Sequence, residues 1–286
     1  MKVWIPGGEG MIGKALQEEC RQKQISFLST SHAEIDISCL PSVEQFIDRH
    51  NSVTHIANCA AYTNVDLAEE NATLARQANA VGPENLGIAA KKKGLALLHL
   101  STDYIFGSLD RTPCKEEALA CPLSVYAKTK KEGEERLLIA FPQACIVRTS
   151  WVFGIGERSF VSSLWRAMKR EVKVQVVSDQ WSRPTYAKDL AKTLLSLLEK
   201  EGLFHFANQG ACSRYDIACA LHKILQEKGE EIRCKEIEKI GSSLYPTAAK
   251  RPSFSILDTE KIVKMLGVIP RNWEDALREF VDDCKS

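Results

Sequence analysis

Short apolar runs alternate with longer segments of helical spacing through the first two thirds of the chain. The apolar runs, of four to seven residues, predict strands at 2–5, 25–28, 53–59, 96–101 and 144–147. The segments between them predict helices at 11–23, 43–50, 66–93 and 125–140, the third of which restarts near Gly82 and Pro83. Strands that are apolar throughout and separated by helices are typical of a parallel sheet covered on both faces. We therefore predict an α/β fold with a doubly wound parallel sheet.

The alternation of strand and helix patterns becomes less regular after Trp151. Helical patterns lie at 160–169, 189–200 and 215–228, strand patterns at 172–177 and 203–206, and a proline-containing loop at 244–252 precedes an amphipathic helix at 273–284. The predicted organisation is a first domain of residues 1–152, to which 173–207 returns, and a smaller C-terminal lobe of 208–286 with about 153–172.

Composition narrows the class of protein. The 286 residues carry 38 Lys and Arg against 37 Asp and Glu, a net charge of +1, which argues against nucleic-acid binding. No apolar stretch approaches the roughly 18 residues needed to span a bilayer, and the N-terminus enters a strand pattern at once, unlike a signal peptide. The 10 cysteines are scattered without a C-x-x-C pair, which predicts reduced core residues. We expect a soluble, cytoplasmic protein.

Glycines follow the first predicted strand directly. Gly7, Gly10 and Gly13 form a G-x-x-G-x-x-G spacing that leads into the first predicted helix. Glycine permits the tight turn and close approach to a pyrophosphate, and the helix N-terminus presents N–H groups and a positive dipole end to phosphates. This context predicts a nucleotide site.

The end of the second predicted strand bears on which dinucleotide binds. An acid there would bind the ribose 2′-hydroxyl and favour NAD. Residues 28–32 contain no acid and no arginine, but small hydroxyls and His32. These residues would tolerate a 2′-phosphate without holding it strongly. We expect both NADPH and NADH to serve as the cofactor, with a slight preference for NADPH.

Tyr126 and Lys130 lie four residues apart at the start of a predicted helix, so their side chains share one face. An adjacent ammonium stabilises phenolate, and we expect Lys130 to lower the Tyr126 pKa from about 10 toward neutrality. Such a phenol can exchange a proton with a carbonyl oxygen while hydride moves to the adjacent carbon. The pair is a candidate catalytic dyad.

Polar residues end the fourth predicted strand. Ser101 and Thr102 are followed by Asp103, at the edge where parallel sheets bind ligands. A hydroxyl there can hydrogen-bond a substrate oxygen and align it with Tyr126. A strand-end turn favours the same residue types, but the combination with the other motifs favours catalysis.

With these motifs in place, the chain resembles the dTDP-4-dehydrorhamnose reductase family of extended short-chain dehydrogenases/reductases. The most specific segments are Asn-Cys-Ala-Ala-Tyr-Thr-Asn-Val-Asp at 58–66 and Arg-Pro-Ser-Phe-Ser-Ile-Leu-Asp at 251–258. Further matching segments lie at 7–13, 34–37, 101–106, 126–130, 148–154 and 179–185. The resemblance implies a Rossmann-like dinucleotide-binding domain and a lobe that takes a nucleotide sugar.

The resemblance also implies a reaction, the NAD(P)H-dependent reduction of dTDP-4-dehydro-L-rhamnose to dTDP-L-rhamnose. Tyr126 would be the proton donor to O4, Lys130 its electrostatic partner and a ribose ligand, and Thr102 would orient the carbonyl. The expected cofactor contacts are Gly7, Gly10, Met11, Ile12 and Gly13 at the pyrophosphate, Asp36 and Ile37 at the adenine, and Ala60, Ala61, Tyr62 and Leu100 toward the nicotinamide. The expected substrate contacts are Thr102, Asp103, Trp151 and Arg251, the last at the diphosphate or nucleotide end.

Two departures from the family pattern change the expectations. Residues 181–184, Trp-Ser-Arg-Pro, are bulkier and more basic than the usual glycine-and-serine stretch, so the substrate pocket is expected to differ. Some members place a glutamate shortly after the third glycine as part of a Mg²⁺ site, whereas residues 14–16 supply none. Magnesium dependence is therefore doubtful, and we assign no metal ligand.

Alternatives remain open beside the reductase. A nucleotide-sugar dehydratase is disfavoured because Tyr104 stands where a second carboxylate is needed. A nucleotide-sugar epimerase uses the same Tyr and Lys. A non-catalytic NADP-binding regulatory subunit, resembling the methionine adenosyltransferase β subunit, could also retain them. The expected partner is a small nucleotide sugar, with neither nucleic acid nor a membrane, and a homodimer is left open.

Overall fold

In the computed structural model the described residues are 1–107, 111–156 and 159–285. The strands are β1 Lys2–Pro6, β2 Ser26–Thr30, β3 His55–Asn58, β4 Ala96–Thr102, β5 Cys145–Thr149, β6 Val152–Phe153, β7 Lys173–Val177, β8 Trp181–Ser182, β9 Thr185–Tyr186, β10 Gly202–His205, β11 Cys212–Ser213 and β12 Glu236–Ile240. The α-helices are α1 Met11–Gln22, α2 Leu40–Arg49, α3 Leu67–Glu70, α4 Ala72–Arg76, α5 Gly82–Lys93, α6 Val125–Ala140, α7 Phe160–Arg170, α8 Ala187–Leu197, α9 Arg214–Glu227, α10 Glu260–Leu266 and α11 Trp273–Asp283.

Six strands form the main sheet in the order β10-β5-β4-β3-β1-β2. Every pair in it is parallel, so the carboxyl ends of the strands share one edge. The strand order reverses at β1, which lies between β2 and β3. In doubly wound sheets the ligand crevice opens at this point, beyond the carboxyl ends of the strands. The predicted fold class is confirmed.

Helices cover both faces of this sheet because β1 is apolar on each side. Val3 and Ile5 point to a core that includes Leu16 of α1 and Leu194 of α8. Trp4, between them, points to the other face, where α2, α5 and α6 contribute their apolar residues. Alternation of side chains along a strand places neighbouring residues on opposite faces, and here both faces are buried.

The prediction that residues 173–207 return to the first domain is wrong for the first part of this range, which forms β7. Strand β7 pairs in parallel with β12, and Val174 and Val176 enter a separate core formed by α7, α9 and α11. The return is made by α8, which packs on α1, and by β10, which pairs with β5. Burial alternates along β7, as in a strand with one face packed and one exposed, whereas central parallel strands are buried on both faces.

The predicted helix at 66–93 is divided earlier than its proline indicates. Helices α3 and α4 are followed by a π-helical turn at Gln77–Val81, which runs into α5 with Pro83 in its first turn. Asn79, inside the π turn, bonds the backbone of Tyr62 through its side-chain oxygen and nitrogen. We find no helix in the described ranges that is long and apolar enough to cross a membrane.

Candidate active site

A cleft of about 650 Å³ opens at the carboxyl ends of β1, β4 and β5 and extends to the first turns of α7 and α9. The predicted site residues that line it are Gly7, Gly10, Met11, Ile12, Gly13, Ala60, Ala61, Leu100, Thr102, Asp103, Tyr126, Lys130 and Trp151. The structure therefore brings together the glycine segment, the strand-end polar residues and the Tyr–Lys pair, which are distant in the sequence.

The glycine segment forms a tight turn in which side chains cannot fit. Gly7 has a φ of +77°, and a Cβ there would lie 2.6 Å from the Cα of Ala60. A Cβ on Gly13 would lie 2.4 Å from the carbonyl oxygen of Gly7. Helix α1 has Gly10 at its N-cap, with no side-chain cap and no acid in the first turn. Its N–H groups therefore fit the diphosphate of a dinucleotide.

An acid to which the sequence analysis assigns no role, Glu34, lies in the turn that follows β2. Ser31 and His32 line the cleft, and the Glu34 carboxylate accepts hydrogen bonds from the Ser31 backbone N–H at 2.7 Å and from its hydroxyl at 2.8 Å. The bond from the backbone N–H, followed by that from the hydroxyl, holds the Glu34 pKa below its usual value. The sequence signal that could have identified Glu34 is its distance from the glycine segment, because dinucleotide-binding folds place an acid about 20 residues after those glycines.

Two predicted adenine contacts do not line the cleft. The Asp36 carboxylate accepts a hydrogen bond from the Ser38 backbone N–H at 2.9 Å, closing a local turn. Ile37 is buried in the core, and its carbonyl accepts a bond from the Asn85 side chain at 3.0 Å. The structure thus gives Asp36 a role in a local turn and Ile37 a role in the core.

Tyr62 and Arg251 also lie outside the cleft lining. The Tyr62 backbone is held by Asn79 on both sides, at 2.8 and 3.1 Å. Arg251 makes a two-pronged pair with Asp66, with Nη1–Oδ1 at 3.0 Å and Nη2–Oδ2 at 2.6 Å. This pair joins the two most specific family segments to each other, and the guanidinium is engaged by a carboxylate of its own chain.

Tyr126 lies in the first turn of α6, and its phenol faces the cleft beside Thr102. The predicted lowering of its pKa by Lys130 is wrong. Burial raises the Tyr126 pKa above its ordinary value, with a smaller rise from Asp103 and Tyr104, while a hydrogen bond with Thr102 opposes the rise. The reason is that desolvation penalises the phenolate, and Lys130 directs its amine to other partners.

Lys130 is held at the bottom of the cleft by β4. Its Nζ donates to the Leu100 carbonyl at 2.7 Å and lies 3.3 Å from Nε2 of His99. On the other side of that ring, Nδ1 lies 3.0 Å from Nδ2 of Asn58. Burial lowers the pKa of Lys130 to about 8, although Glu134 acts to raise it. His99 and Asn58 are residues of this site that the sequence analysis did not identify.

Asp103 lines the cleft, but its carboxylate is bonded within the chain. Oδ2 accepts hydrogen bonds from Ser255 at 2.5 Å and from Ser182 at 3.1 Å, and Oδ1 accepts one from Thr102 at 3.3 Å. Burial raises the pKa of Asp103 to about 6, against the opposing effect of these bonds. The carboxylate therefore ties the end of β4 to two segments of the C-terminal half.

One end of the cleft carries aromatic rings around a cation. Trp151 has a φ of +40°, and its ring stacks against the Arg214 guanidinium, whose carbon lies 4.4 Å from the ring centroid. The Phe160 ring lies 4.8 Å from the same carbon. Arg214 lines the cleft, and nothing in its local sequence distinguishes it from other helix-start residues.

The family described as RmlD substrate binding domain matches residues 1–286. The chain is 36% identical to a dTDP-4-dehydrorhamnose reductase of Mycolicibacterium smegmatis, over 98% of this chain and 85% of the relative. The chain belongs to the dTDP-4-dehydrorhamnose reductase family. Among solved members, the Clostridium acetobutylicum reductase has a TM-score of 0.93 at 32% identity, with 100% of both chains covered. A Bacillus anthracis reductase in complex with NADP has a TM-score of 0.91 at 29% identity, with 99% of both chains covered.

Membership of the dTDP-4-dehydrorhamnose reductase family confirms the predicted resemblance and the predicted enzyme class, an oxidoreductase. The NADP complex of a solved member agrees with the predicted nicotinamide cofactor. Within residues 1–107, 111–156 and 159–285, no three His, Cys, Asp or Glu side chains are grouped so that they could hold a metal ion. The doubt about magnesium stays a prediction.

Proposed function

We propose that this protein reduces the C4 ketone of dTDP-4-dehydro-L-rhamnose to dTDP-L-rhamnose with NADPH or NADH. One observation carries the proposal, namely that Thr102, Tyr126 and Lys130 line the same cleft as the uncapped first turn of α1. A dinucleotide whose diphosphate binds at that turn would extend along the strand ends toward Tyr126. The names of the relatives supply the identity of the sugar nucleotide.

The mechanism assigns each side chain a separate task. When bound, the reduced nicotinamide supplies the hydride. The Thr102 hydroxyl orients the ketone oxygen, and the Tyr126 phenol donates a proton to that oxygen. A phenol with its ordinary pKa of about 10 is already protonated at neutral pH, the state a proton donor requires, and burial raises the Tyr126 pKa further. Lys130, fixed on the Leu100 carbonyl, places a positive charge near the phenol as the proton leaves.

The test is the oxidation of NADPH or NADH after addition of dTDP-4-dehydro-L-rhamnose to the purified protein. We expect steady loss of absorbance at the reduced-nicotinamide band, and about 10²-fold or more slower turnover for Tyr126→Phe. Tyr245→Phe is the matched control, since Tyr245 is 59% exposed and lies outside the cleft.

Two outcomes would replace the proposal with an alternative. Tight cofactor binding without turnover of any dTDP-4-keto sugar would favour the regulatory subunit. Sugar turnover without net consumption of NADPH or NADH would favour an epimerase. Unchanged turnover in Tyr126→Phe would remove the phenol from its assigned role.

A further inference from the structure

Arg214 is the residue with the most unusual surroundings in the cleft. It begins α9 and comes from the C-terminal half, whereas the glycine turn belongs to the first domain. Its guanidinium carbon lies 4.4 Å from the Trp151 ring centroid and 4.8 Å from that of Phe160. Two aromatic contacts hold the planar group in one orientation, so little side-chain freedom would be lost on binding a ligand.

The hydrogen bonds of Arg214 leave its charge uncompensated. Nε donates to the amide oxygen of Gln180 at 3.2 Å, and Nη2 donates to the hydroxyl of Tyr104 at 3.3 Å. Both acceptors are neutral. In the part of the chain that the structure describes, no carboxylate lies within ion-pair distance of Arg214. A guanidinium has five N–H donors, so three of them have no protein acceptor among these bonds.

Other arginines near the cleft differ in this respect. Arg251 is paired with Asp66, and Arg148 is paired with Glu134 beneath the sheet edge. Among the described residues that line the cleft, Lys130 is the other lysine or arginine, and its amine is bonded to β4. An anion entering the cleft at the aromatic end would therefore meet Arg214 first.

The position of Arg214 indicates which anion it would meet. The diphosphate of the dinucleotide fits the first turn of α1, at the carboxyl end of β1. Arg214 lies on the Tyr126 side of the cleft, where the reacting ketone is proposed to sit: its Nη2 donates to the hydroxyl of Tyr104, whose ring centroid lies 6.0 Å from that of Tyr126. A second ligand that places its sugar at Tyr126 would place its own diphosphate toward the C-terminal half of the protein.

We propose that Arg214 binds the diphosphate of the nucleotide-sugar substrate and so determines its preference for a nucleoside diphosphate sugar. The inference rests on the proposed function for the location of the sugar. The planar fork of a guanidinium matches two phosphate oxygens, and the rings of Trp151 and Phe160 orient it before the ligand arrives.

The test compares the binding of dTDP and thymidine to the full-length protein saturated with NADP, by calorimetry, for wild type, Arg214→Met and Arg214→Lys. We expect Arg214→Met to weaken dTDP binding about tenfold or more, with thymidine and NADP affinities within about twofold of wild type. Arg214→Lys keeps the charge without the fork, so its dTDP affinity should lie between the two. Arg278→Met, which removes an exposed ion pair on α11, is the control and should leave all three affinities unchanged.

The outcomes separate this inference from the proposed function. Equal losses for dTDP and thymidine, or unchanged dTDP affinity in Arg214→Met, would overturn the role of Arg214. In the reductase assay we expect a KM increase of about tenfold or more with kcat nearly unchanged. If the wild type reduces the ketone and Arg214→Met does so with an unaltered KM, the inference about Arg214 is overturned while the proposed function stands. Arg214-dependent dTDP binding without ketone reduction would overturn the proposed function alone.

Discussion

Lys130 and His99 face each other at the bottom of the cleft, with Nζ and Nε2 3.3 Å apart. The proton on the ring can be placed from its other neighbour. Asn58 accepts the Ala60 backbone N–H at 3.0 Å through Oδ1, so its Nδ2 is the group that faces Nδ1 of His99. Nδ1 is then an acceptor, and the neutral ring carries its proton on Nε2, toward Lys130. This arrangement therefore opposes protonation of Lys130, in the same direction as burial, which lowers its pKa to about 8.

We therefore predict that His99→Gln raises the pKa of Lys130 by about one unit. A lysine whose pKa is lowered to about 8 loses its proton as the pH rises through that value. If reduction needs the ammonium, the alkaline limb of kcat/KM lies near this pH in wild type and moves upward in the variant. Glu134 and Cys59 are the other ionisable groups acting on Lys130, and both are unchanged by the substitution.

The measurement is the pH profile of kcat/KM for His99→Gln against wild type. His55→Gln is the matched control, because His55 starts β3 at the opposite end of the sheet from the cleft. An alkaline limb that stays in place in His99→Gln, with the fold intact, would show that the ring does not tune the lysine.

Glu34 leads to a prediction about cofactor preference that opposes the slight preference for NADPH expected from the sequence. Its carboxylate is held on Ser31 directly after β2; a glutamate is ionised at neutral pH at its ordinary pKa, and this bonding lowers the pKa further. A 2′-phosphate bound beside Ser31 would meet this negative charge. We expect Glu34→Gln to raise the ratio of kcat/KM for NADPH to that for NADH about fivefold.

Steady-state assays with both cofactors give this ratio directly. Glu18→Gln, which neutralises an exposed carboxylate on α1, should leave it unchanged and serves as the control. The effect should shrink as salt concentration rises, since the group is exposed. An equal ratio in wild type and Glu34→Gln would place the ribose away from Ser31.

The site could be predicted from sequence wherever its residues are close along the chain. Tyr126 and Lys130 are four residues apart on α6, so helix geometry alone places them together. Arg214 could not be found in this way, because its aromatic neighbours lie more than 50 residues before it and no local pattern points to them. The Tyr126 pKa was predicted with the wrong sign because the sequence shows a neighbouring charge but not the loss of water around the phenol.

The errors within the correctly predicted fold class have a related cause. The six strands of the main sheet all coincide with strand patterns predicted from the sequence, whereas β8, β9 and β11 have two residues each and give no periodic signal. Strand β7 was detected but assigned to the wrong sheet, since its partner β12 lies about 60 residues later. Pairing between distant short strands depends on tertiary packing, which a local pattern does not contain.

Asp103 should make the stability of the fold depend on pH. Its pKa is about 6 in the folded protein against 3.8 for the free side chain. Between these values the unfolded chain releases the proton and the folded chain keeps it, so this group lowers the free energy of unfolding as the pH rises from about 4 to 6. The total is about 3 kcal/mol. The contribution is fully present below about pH 4 and is lost above about pH 6.

Asp103→Asn removes this titration and keeps an oxygen for the Ser182 and Ser255 hydroxyls. Urea denaturation at pH 4.5, 5.5, 6.5 and 7.5 should show the variant gaining stability relative to wild type as the pH rises. Asp275→Asn, at an exposed position of α11, should follow the wild-type curve. Parallel curves for Asp103→Asn and wild type would mean that the carboxyl is ionised across the whole range.

Arg148 and Glu134 fix α6, and with it Tyr126, against the sheet. Arg148 on β5 meets the carboxylate of Glu134 with Nε–Oε1 at 2.9 Å and Nη2–Oε2 at 2.7 Å. The side chains of Arg148 and Glu134 are 5% and 3% exposed, so removing one partner leaves the charge of the other buried and almost unsolvated. We predict that Arg148→Met lowers the free energy of unfolding by about 3–5 kcal/mol.

The same helix offers the matched comparison. Arg136 pairs with Glu84 and Glu132 at the surface, where its side chain is 31% exposed, and Arg136→Met should cost about 0–1 kcal/mol. Adding Glu134→Leu to Arg148→Met removes the stranded charge and should restore about 2 kcal/mol, although Ser101 then loses its acceptor. Urea denaturation of the three variants measures these differences. If Arg148→Met and Arg136→Met cost the same, the buried pair does not carry the attachment of α6, and Tyr126 must be positioned by the packing of that helix alone.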